Sequence, residues 1–463
     1  MMKLRLQTMI CASLMAAVPF TITMAQDVPG ESLSVQQVAP VALHSVKETA
    51  KTTDAIRHIS NIPVVYGDGI QVAAVAISYP EPVKASSLSK DTYVVEGKTI
   101  NRVYVNDTPA MDVKGNKKSG PYVIVEFEHV NSTPFTMADR PKRNNSENNA
   151  APKDASSRSD RKVPVLSSSV EQKKVVESKT GKQYVPTTSA ITSTTVEPSL
   201  IDEFKTYTFT DEAVGATMPY NIYLPKNYDS NKQYPLYVFI GDASTNINND
   251  KTVLFQGDGA MVFAAPEEQA KHEAIILAPQ YTQDLVDQLG MMTTDENVWT
   301  PGLQLVTDLI HHIIETYPVD TDRIYGSGQS QGGMANIAIS DRYPDLFTAQ
   351  FLVACQWNTE EMKVLKDKKL WILVSEGDEK AYPSMNTATK NWEDLGAKVA
   401  RSPMWNSYST PEQFDVLVND MKAQKANINY SVFEGGSHMY TWSVAYSIEG
   451  IRDWLFSQSK SEK

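Results

Sequence analysis

Short apolar runs alternate with amphipathic segments over the second half of the chain. The apolar runs predict strands at residues 221–224, 236–240, 274–278, 323–326, 349–354, 370–375 and 428–433. Helical spacing of apolar positions marks residues 302–316, 331–341 and 441–456. Several of the runs are hydrophobic throughout, as in strands buried on both faces. The alternation predicts a mainly parallel sheet with helices on both faces, in a domain spanning residues 201–463.

The first half of the chain has a different pattern. Its β-branched and aromatic runs lie at residues 62–66, 70–79, 92–95, 99–105 and 122–127, with a further patch at 163–166. Turn formers separate them about every ten residues, which is typical of a small β-sandwich. We therefore expect a β-sandwich domain over residues 53–200. Residues 138–162 contain almost no large apolar side chains and are expected to be a disordered insert.

The N-terminus has the pattern of an export signal. Lys3 and Arg5 precede a mostly apolar stretch, and small residues at Thr23 and Ala25 suit cleavage before Gln26. Pro19 makes the stretch a poor permanent membrane span. The interpretation is a signal peptide (1–25) followed by a tether (26–52), in an exported protein, periplasmic or extracellular, that is not an integral membrane protein.

Charge and cysteine content narrow the classes of partner. The 463 residues include 43 Lys and Arg against 55 Asp and Glu, a net charge of −12. Loss of residues 1–25, which hold two basic residues and no acidic one, gives −12 − 2 = −14. An acidic chain lacks the basic face that nucleic-acid binding needs, so no nucleic acid is expected. The two cysteines, Cys11 and Cys355, form no metal-binding pair, so neither a disulfide framework nor a metal site is predicted.

The most informative motif is Gly-Gln-Ser-Gln-Gly at residues 328–332. It follows a predicted strand and precedes a predicted helix, as the G-x-S-x-G nucleophile elbow requires. The glycines allow a sharp reversal that holds Ser330 out of the sheet. The start of the following helix directs N–H groups to where negative charge develops on a substrate oxygen. Ser330 is the predicted nucleophile.

A serine nucleophile needs a base and a carboxylate that orients the base. Of the seven histidines, His438 lies in a glycine-containing loop after the last predicted strand, where the order Ser, acid, His places the base. The acid is expected after the strand at 370–375. Asp378 is favoured because the loop has left the sheet edge there, and Glu376 stays as the alternative.

Two backbone donors and three aromatic residues complete the expected site. The N–H of Gln331 and one from the loop at 241–244, with Ala243 favoured over Asp242, are predicted to form the oxyanion hole. Trp357, Trp299 and Trp442 lie near predicted sheet ends and are candidates for a substrate pocket, although core packing explains them equally well.

The segments YPVDTDRIYGSGQSQGGM (317–334), SEGDEKAYP (375–383) and GGSH (435–438) resemble bacterial serine esterases of the α/β-hydrolase superfamily that carry an immunoglobulin-like N-terminal domain. YGDG (66–69), VYVND (103–107) and YVIV (122–125) are similar to that N-terminal domain. The resemblance covers residues 55–130 and 200–458. It implies an immunoglobulin-like β-sandwich followed by an α/β-hydrolase fold, with Ser330, Asp378 and His438 as nucleophile, acid and base. One departure is Gly241-Asp242, where the family commonly has His-Gly.

The expected function is an exported serine carboxylesterase that hydrolyses small or short-acyl esters without a cofactor. One alternative is a serine peptidase of the prolyl-oligopeptidase type, although no propeller-like repeat precedes the hydrolase domain. Another is a non-catalytic glycan- or wall-binding protein, which would not need to keep the serine, the histidine and the acid together. Shielding the active-site mouth, supporting a homo-oligomer and binding carbohydrate all stay open as roles of the N-terminal domain.

Overall fold

A computed structural model describes residues 55–133, 135 and 163–461. The predicted signal peptide (1–25), tether (26–52) and disordered insert (138–162) lie outside the described residues. The boundaries proposed at 53–200 and 201–463 stay predictions. Within the described part of the chain, no helix combines the length and apolar character needed to cross a bilayer.

Within the described residues 55–133 and 163–200, nine strands form the N-terminal domain. They are β1 (His58–Tyr66), β2 (Gly69–Lys84), β3 (Tyr93–Val95), β4 (Ile100–Asn106), β5 (Ser119–Phe127), β6 (Ser168–Gln172), β7 (Val176–Glu177), β8 (Gln183–Tyr184) and β9 (Ile191–Ser193). They make a four-stranded sheet in the order β1-β2-β5-β4, a three-stranded sheet β3-β6-β9 and the pair β7-β8. Every pairing is antiparallel. This is the predicted immunoglobulin-like sandwich.

Two details of the sandwich differ from the sequence pattern. The sequence pattern predicts a strand over 70–79, but β2 continues beyond it through Pro80-Glu81-Pro82. Its pairing with β5 shifts register between Ser78 and Val83, so the prolines occupy a stretch where the ladder is interrupted and no N–H is needed. The expected strand at 163–166 is also wrong, because the strand here is β6, two residues further on.

The second domain contains one nine-stranded sheet. Its strands are β10 (Lys205–Asp211), β11 (Ala216–Tyr223), β12 (Tyr234–Ile240), β13 (Ile275–Pro279), β14 (Val319–Gln329), β15 (Ala349–Val353), β16 (Lys369–Ser375), β17 (Val399–Arg401) and β18 (Ile428–Phe433). The order is β10-β11-β13-β12-β14-β15-β16-β18-β17. Only β11 is reversed, and it pairs antiparallel with both of its neighbours, β10 and β13. The others pair in parallel, so their carboxyl ends meet at one edge.

Helices cover both faces of this sheet. They are α1 (Thr252–Phe255), α2 (Met261–Ala264), α3 (Pro266–Lys271), α4 (Gln283–Leu289), α5 (Pro301–Thr316), α6 (Gln331–Arg342), α7 (Ala381–Asp394), α8 (Pro411–Ala423), α9 (His438–Ala445) and α10 (Glu449–Phe456). Along β12, Leu236 and Val238 pack with the residues of α5 and α6, whereas Tyr237 and Phe239 pack on the opposite face. Alternate side chains of a strand point to opposite faces, so the sheet has a hydrophobic core on each side.

The expected single helix at 441–456 is two helices. α9 ends at Ala445, Ile448 is extended (ψ 97°), and α10 begins at Glu449. The Arg452 guanidinium donates to the carbonyl of Tyr446 at 2.6 Å. This carbonyl at the end of α9 therefore has a hydrogen-bond donor even though the helix does not continue.

The turn between β1 and β2 joins the sandwich to the second domain. A Cβ on Gly67 would lie 2.2 Å from the carbonyl oxygen of Ser443 in α9, so only glycine fits this contact. Asn131 donates to the Ser443 hydroxyl at 2.7 Å. The N-terminal domain therefore packs directly on the helix that begins with His438.

Candidate active site

The motif at residues 328–332 forms a tight turn from β14 into α6. Ser330 has φ 49° and ψ −120°, a region that L residues rarely adopt. A Cβ on Gly332 would lie 1.8 Å from the carbonyl oxygen of Ile240, and one on Gly328 would lie 2.6 Å from the same oxygen. The two glycines thus allow α6 to begin against the end of β12, and the turn projects Ser330 at the carboxyl edge of the sheet.

His438 comes to Ser330 from 108 residues further along the chain. Two left-handed glycines, Gly435 (φ 61°) and Gly436 (φ 75°), turn the chain after β18. Ser437 then caps α9 by accepting from the N–H of Tyr440. His438 is therefore the first residue of a helix, not a loop residue as expected. Its Nε2 lies 2.9 Å from the hydroxyl oxygen of Ser330.

Asp378 reaches the other nitrogen of the same ring. β16 and β18 are neighbours, and the loops that follow them touch through Gly377, whose N–H donates to the carbonyl of Gly435. Asp378 Oδ2 lies 2.5 Å from His438 Nδ1. Its Oδ1 accepts from the N–H groups of Lys380 (3.1 Å) and Ala381 (3.0 Å). Glu376, the alternative acid, instead accepts from the N–H of Gly435 at 3.0 Å.

The surroundings keep Asp378 ionised. Its side chain is 2 % exposed. Burial on its own raises a carboxyl pKa, but the hydrogen bond and charge of His438 and the two N–H donors together hold the pKa of Asp378 below its usual range. An ionised acceptor at Nδ1 favours the tautomer whose proton is on Nδ1. That tautomer leaves the Nε2 lone pair directed at the Ser330 hydroxyl.

Two family models match the chain. Residues 58–185 match the family described as "Esterase Ig-like N-terminal domain". Residues 212–454, more than half of the chain, match the family described as "Putative esterase". The chain belongs to this esterase family. It is therefore an enzyme, a serine hydrolase of carboxylic esters.

A crystal structure with both domains supports the fold. A crystal structure of a thermostable esterase is 24% identical, covers 87% of this chain and all (100%) of its own, and superposes with a TM-score of 0.64. A mutant of the feruloyl esterase module from Clostridium thermocellum, complexed with sinapinate, is 14% identical over 56% of this chain and 90% of its own, with a TM-score of 0.36. The comparison with curated proteins found no match to this chain.

The loop after β12 lies against the start of α6. Asp242 caps a short 3₁₀ turn (Ala243–Thr245) by accepting from the N–H of Ser244 at 2.6 Å. Its second oxygen accepts from Gln329, the residue before Ser330, at 3.0 Å. The carboxylate of Asp242 therefore holds the loop that carries Ala243 onto the elbow. Gln331 is the first residue of α6, where helical N–H groups have no carbonyl partner within the helix.

The three tryptophans occupy different surroundings. Trp442 packs edge-on against the imidazole of His438, with ring centroids 5.1 Å apart. Trp357 is buried and donates to Glu361. Trp299 stacks under the Arg342 guanidinium at the far end of α6. Eleven residues of helix separate Arg342 from Gln331, about 17 Å. Trp442 thus contacts the imidazole of His438 directly, and Trp299 packs against the C-terminal end of α6.

One aromatic residue near the site had no signal in the sequence. Phe135, from the N-terminal half of the chain, packs edge-on against Tyr440 with ring centroids 4.9 Å apart. A Cβ on Gly435 would touch its ring at 3.1 Å. Phe135 therefore lies over the loop that leads into His438. It stands next to a polar segment of no recognisable period, so nothing local predicts this contact.

Proposed function

We propose that the protein is an exported carboxylesterase that hydrolyses small or short-acyl esters through Ser330, His438 and Asp378. The observation that supports it is the continuous chain of hydrogen bonds from the Asp378 carboxylate through the imidazole to the Ser330 hydroxyl, 2.5 Å and 2.9 Å long. In this geometry the hydroxyl proton has an acceptor within direct reach, as general-base catalysis requires.

The reaction proceeds in two steps. Ser330 Oγ attacks the ester carbonyl while Nε2 of His438 takes its proton, and the same proton then passes to the leaving alcohol. Water, deprotonated by His438, next attacks the acyl-enzyme, releases the carboxylic acid and restores the Ser330 hydroxyl. Asp378 stays ionised and stabilises the imidazolium that forms in each step.

The negative charge on the tetrahedral oxygen needs donors that are already in place. The N–H of Gln331 at the start of α6 supplies one, with the favourable end of the helix dipole behind it. We assign the second to the N–H of Ala243, in the loop that the Asp242 carboxylate holds against the elbow through Ser244 and Gln329. The hydrogen bonds of Asp242 fix the loop before substrate binds.

Assays with matched ester and amide substrates test this function. We expect hydrolysis of p-nitrophenyl acetate, slower turnover as the acyl chain lengthens to octanoate, and little turnover of acyl p-nitroanilides. Ser330→Ala should abolish ester hydrolysis, whereas Ser447→Ala, at an exposed serine of the α9–α10 connection, should leave it unchanged. Faster cleavage of the anilide would favour a peptidase, and no turnover of either substrate would contradict the proposal.

Export is tested separately. Residues 1–25 are proposed to be removed, so the N-terminal sequence of the protein recovered outside the cytoplasm should begin at Gln26. Recovery of the chain with its first residues intact, or in the cytoplasm alone, would contradict export without affecting the proposed chemistry.

A further inference from the structure

A second cluster of ionisable side chains joins α3 to α10. Glu268 lies in α3, His272 directly follows that helix, and Asp453 lies in α10. His272 Nε2 is 2.8 Å from Asp453 Oδ1 and 4.0 Å from Glu268 Oε1. All three ligand atoms lie within 4.8 Å of one another. Within the described residues, no hydrogen bond joins this cluster to Ser330, His438 or Asp378, so ester hydrolysis does not explain it.

One carboxylate oxygen of this cluster is buried without a hydrogen bond from the described residues. The Glu268 side chain is 4 % exposed. Its Oε2 accepts from Arg452 at 2.8 Å, but Oε1 has no hydrogen-bond partner among the described residues. A buried carboxylate oxygen without a partner is costly, because it loses its hydration and gains nothing in return. Oε1 faces His272, so a ligand between them would satisfy it.

The donor set suits a divalent transition metal. One imidazole nitrogen and two carboxylate oxygens are ligands that Zn²⁺ accepts at bonds of about 2.0–2.2 Å. Ligand atoms around such an ion stand roughly 3.4 Å apart, between the 2.8 Å and 4.0 Å separations observed here. His272 and Asp453 are 20 % and 43 % exposed, so they have room to adjust and an ion can enter from solvent with a water as fourth ligand.

The surroundings are compatible with a cation. The imidazole of His272 stacks on Phe456, with centroids 4.8 Å apart and planes at 6°, which fixes the orientation of the ring. The Arg452 guanidinium lies on the opposite oxygen of Glu268 and also donates to the Tyr446 carbonyl. Two carboxylates and one guanidinium leave a net charge of −1 around the imidazole.

We propose that Glu268, His272 and Asp453 bind one divalent transition-metal ion, with Zn²⁺ as the representative, and that the ion ties α10 to α3. Because residues at α3 and in α10 bind the same ion, the metal stabilises the folded hydrolase domain and takes no part in the reaction. The proposal does not depend on the function assigned to Ser330.

Calorimetric titration of chelator-treated protein with ZnCl₂ tests the site. Wild type should bind one ion per chain. Glu268→Gln and Asp453→Asn should each weaken binding at least tenfold, whereas Glu267→Gln, an exposed neighbour in the same helix, should not. Wild type should also show a rise in Tm with Zn²⁺ that the two ligand variants lack.

Asp453 is partly exposed, so Asp453→Asn remains informative even if Glu268→Gln fails to fold. As an independent readout, Co²⁺ in wild type should give the visible absorption of a low-coordinate N/O site, and Asp453→Asn should lose it. Absence of saturable binding in wild type would overturn the proposal. Equal affinity in wild type and in Asp453→Asn would overturn it too.

Discussion

Replacing Asp378 with asparagine changes the charge of the site and keeps its shape. Oδ1 accepts from two backbone N–H groups, those of Lys380 and Ala381, while Oδ2 faces His438 Nδ1. In Asp378→Asn the amide oxygen must stay with the two N–H donors, since an NH₂ group there would face them donor to donor. The amide nitrogen is therefore forced towards His438, to which it donates.

The substitution therefore reverses the tautomer of the His438 imidazole. Nδ1 must now accept, so the ring proton moves to Nε2, and His438 presents a donor to Ser330 where a base is needed. Loss of the correct tautomer in such a triad lowers kcat by roughly 10⁴, which corresponds to about 5.4 kcal/mol of transition-state stabilisation. KM should change little because Asp378 is buried behind the imidazole.

Steady-state hydrolysis of p-nitrophenyl acetate at pH 8 measures this effect, with the Tm of each variant as a check on folding. The matched control is Glu376→Gln, which removes the alternative acid, whose contact is with the N–H of Gly435. We expect less than a tenfold loss of kcat in this control. If Asp378→Asn keeps kcat within tenfold of wild type while Glu376→Gln is inactive, the assignment of the acid is refuted.

Three further outcomes follow from the structure. Gly332→Ala places a Cβ 1.8 Å from the Ile240 carbonyl oxygen, so the elbow must move. We expect kcat to fall at least 100-fold, or the chain to fail to fold. Wild-type kinetics in this variant would show the contact to be wrong. Burial raises the pKa of Asp258 to about 7, so the folded chain holds a proton between about pH 4 and 7 that the unfolded chain releases, and stability falls as pH rises through that window by up to about 4 kcal/mol. Urea unfolding at pH 5 and 8 should show a smaller difference in Asp258→Asn, and an unchanged difference would contradict this origin. Cys355 is fully buried, and burial raises the pKa of its thiol, so in a Cys11→Ser chain Ellman's reagent should react only after unfolding; rapid reaction of the folded protein would contradict the packing.

The elbow was predictable because its requirements are local. Glycines at 328 and 332 around Ser330, between a strand and a helix, carry the geometry within five residues. His438 and Asp378 lie far away along the chain, yet parallel strands bring the loops after β16 and β18 to the same edge, so strand order was enough to place them near Ser330. The choice between Asp378 and Glu376 needed the actual path of the loop.

Other features depend on tertiary contacts that leave no periodic pattern. The prolines of β2 are tolerated because the ladder is irregular there, and the break before α10 is stabilised by Arg452 from a later turn. Phe135 reaches the His438 loop across a domain boundary. Trp299 is an aromatic near a predicted sheet end, and only the structure shows that it packs against Arg342 at the C-terminal end of α6.

Covalent labelling of the folded protein with a fluorophosphonate, followed by peptide mass mapping, tests the central claim most directly. The proposal predicts one adduct per chain, on Ser330, that disappears in Ser330→Ala and is strongly slowed in His438→Ala. An active esterase whose adduct lies on another residue, or one that hydrolyses esters without forming an adduct, would contradict it.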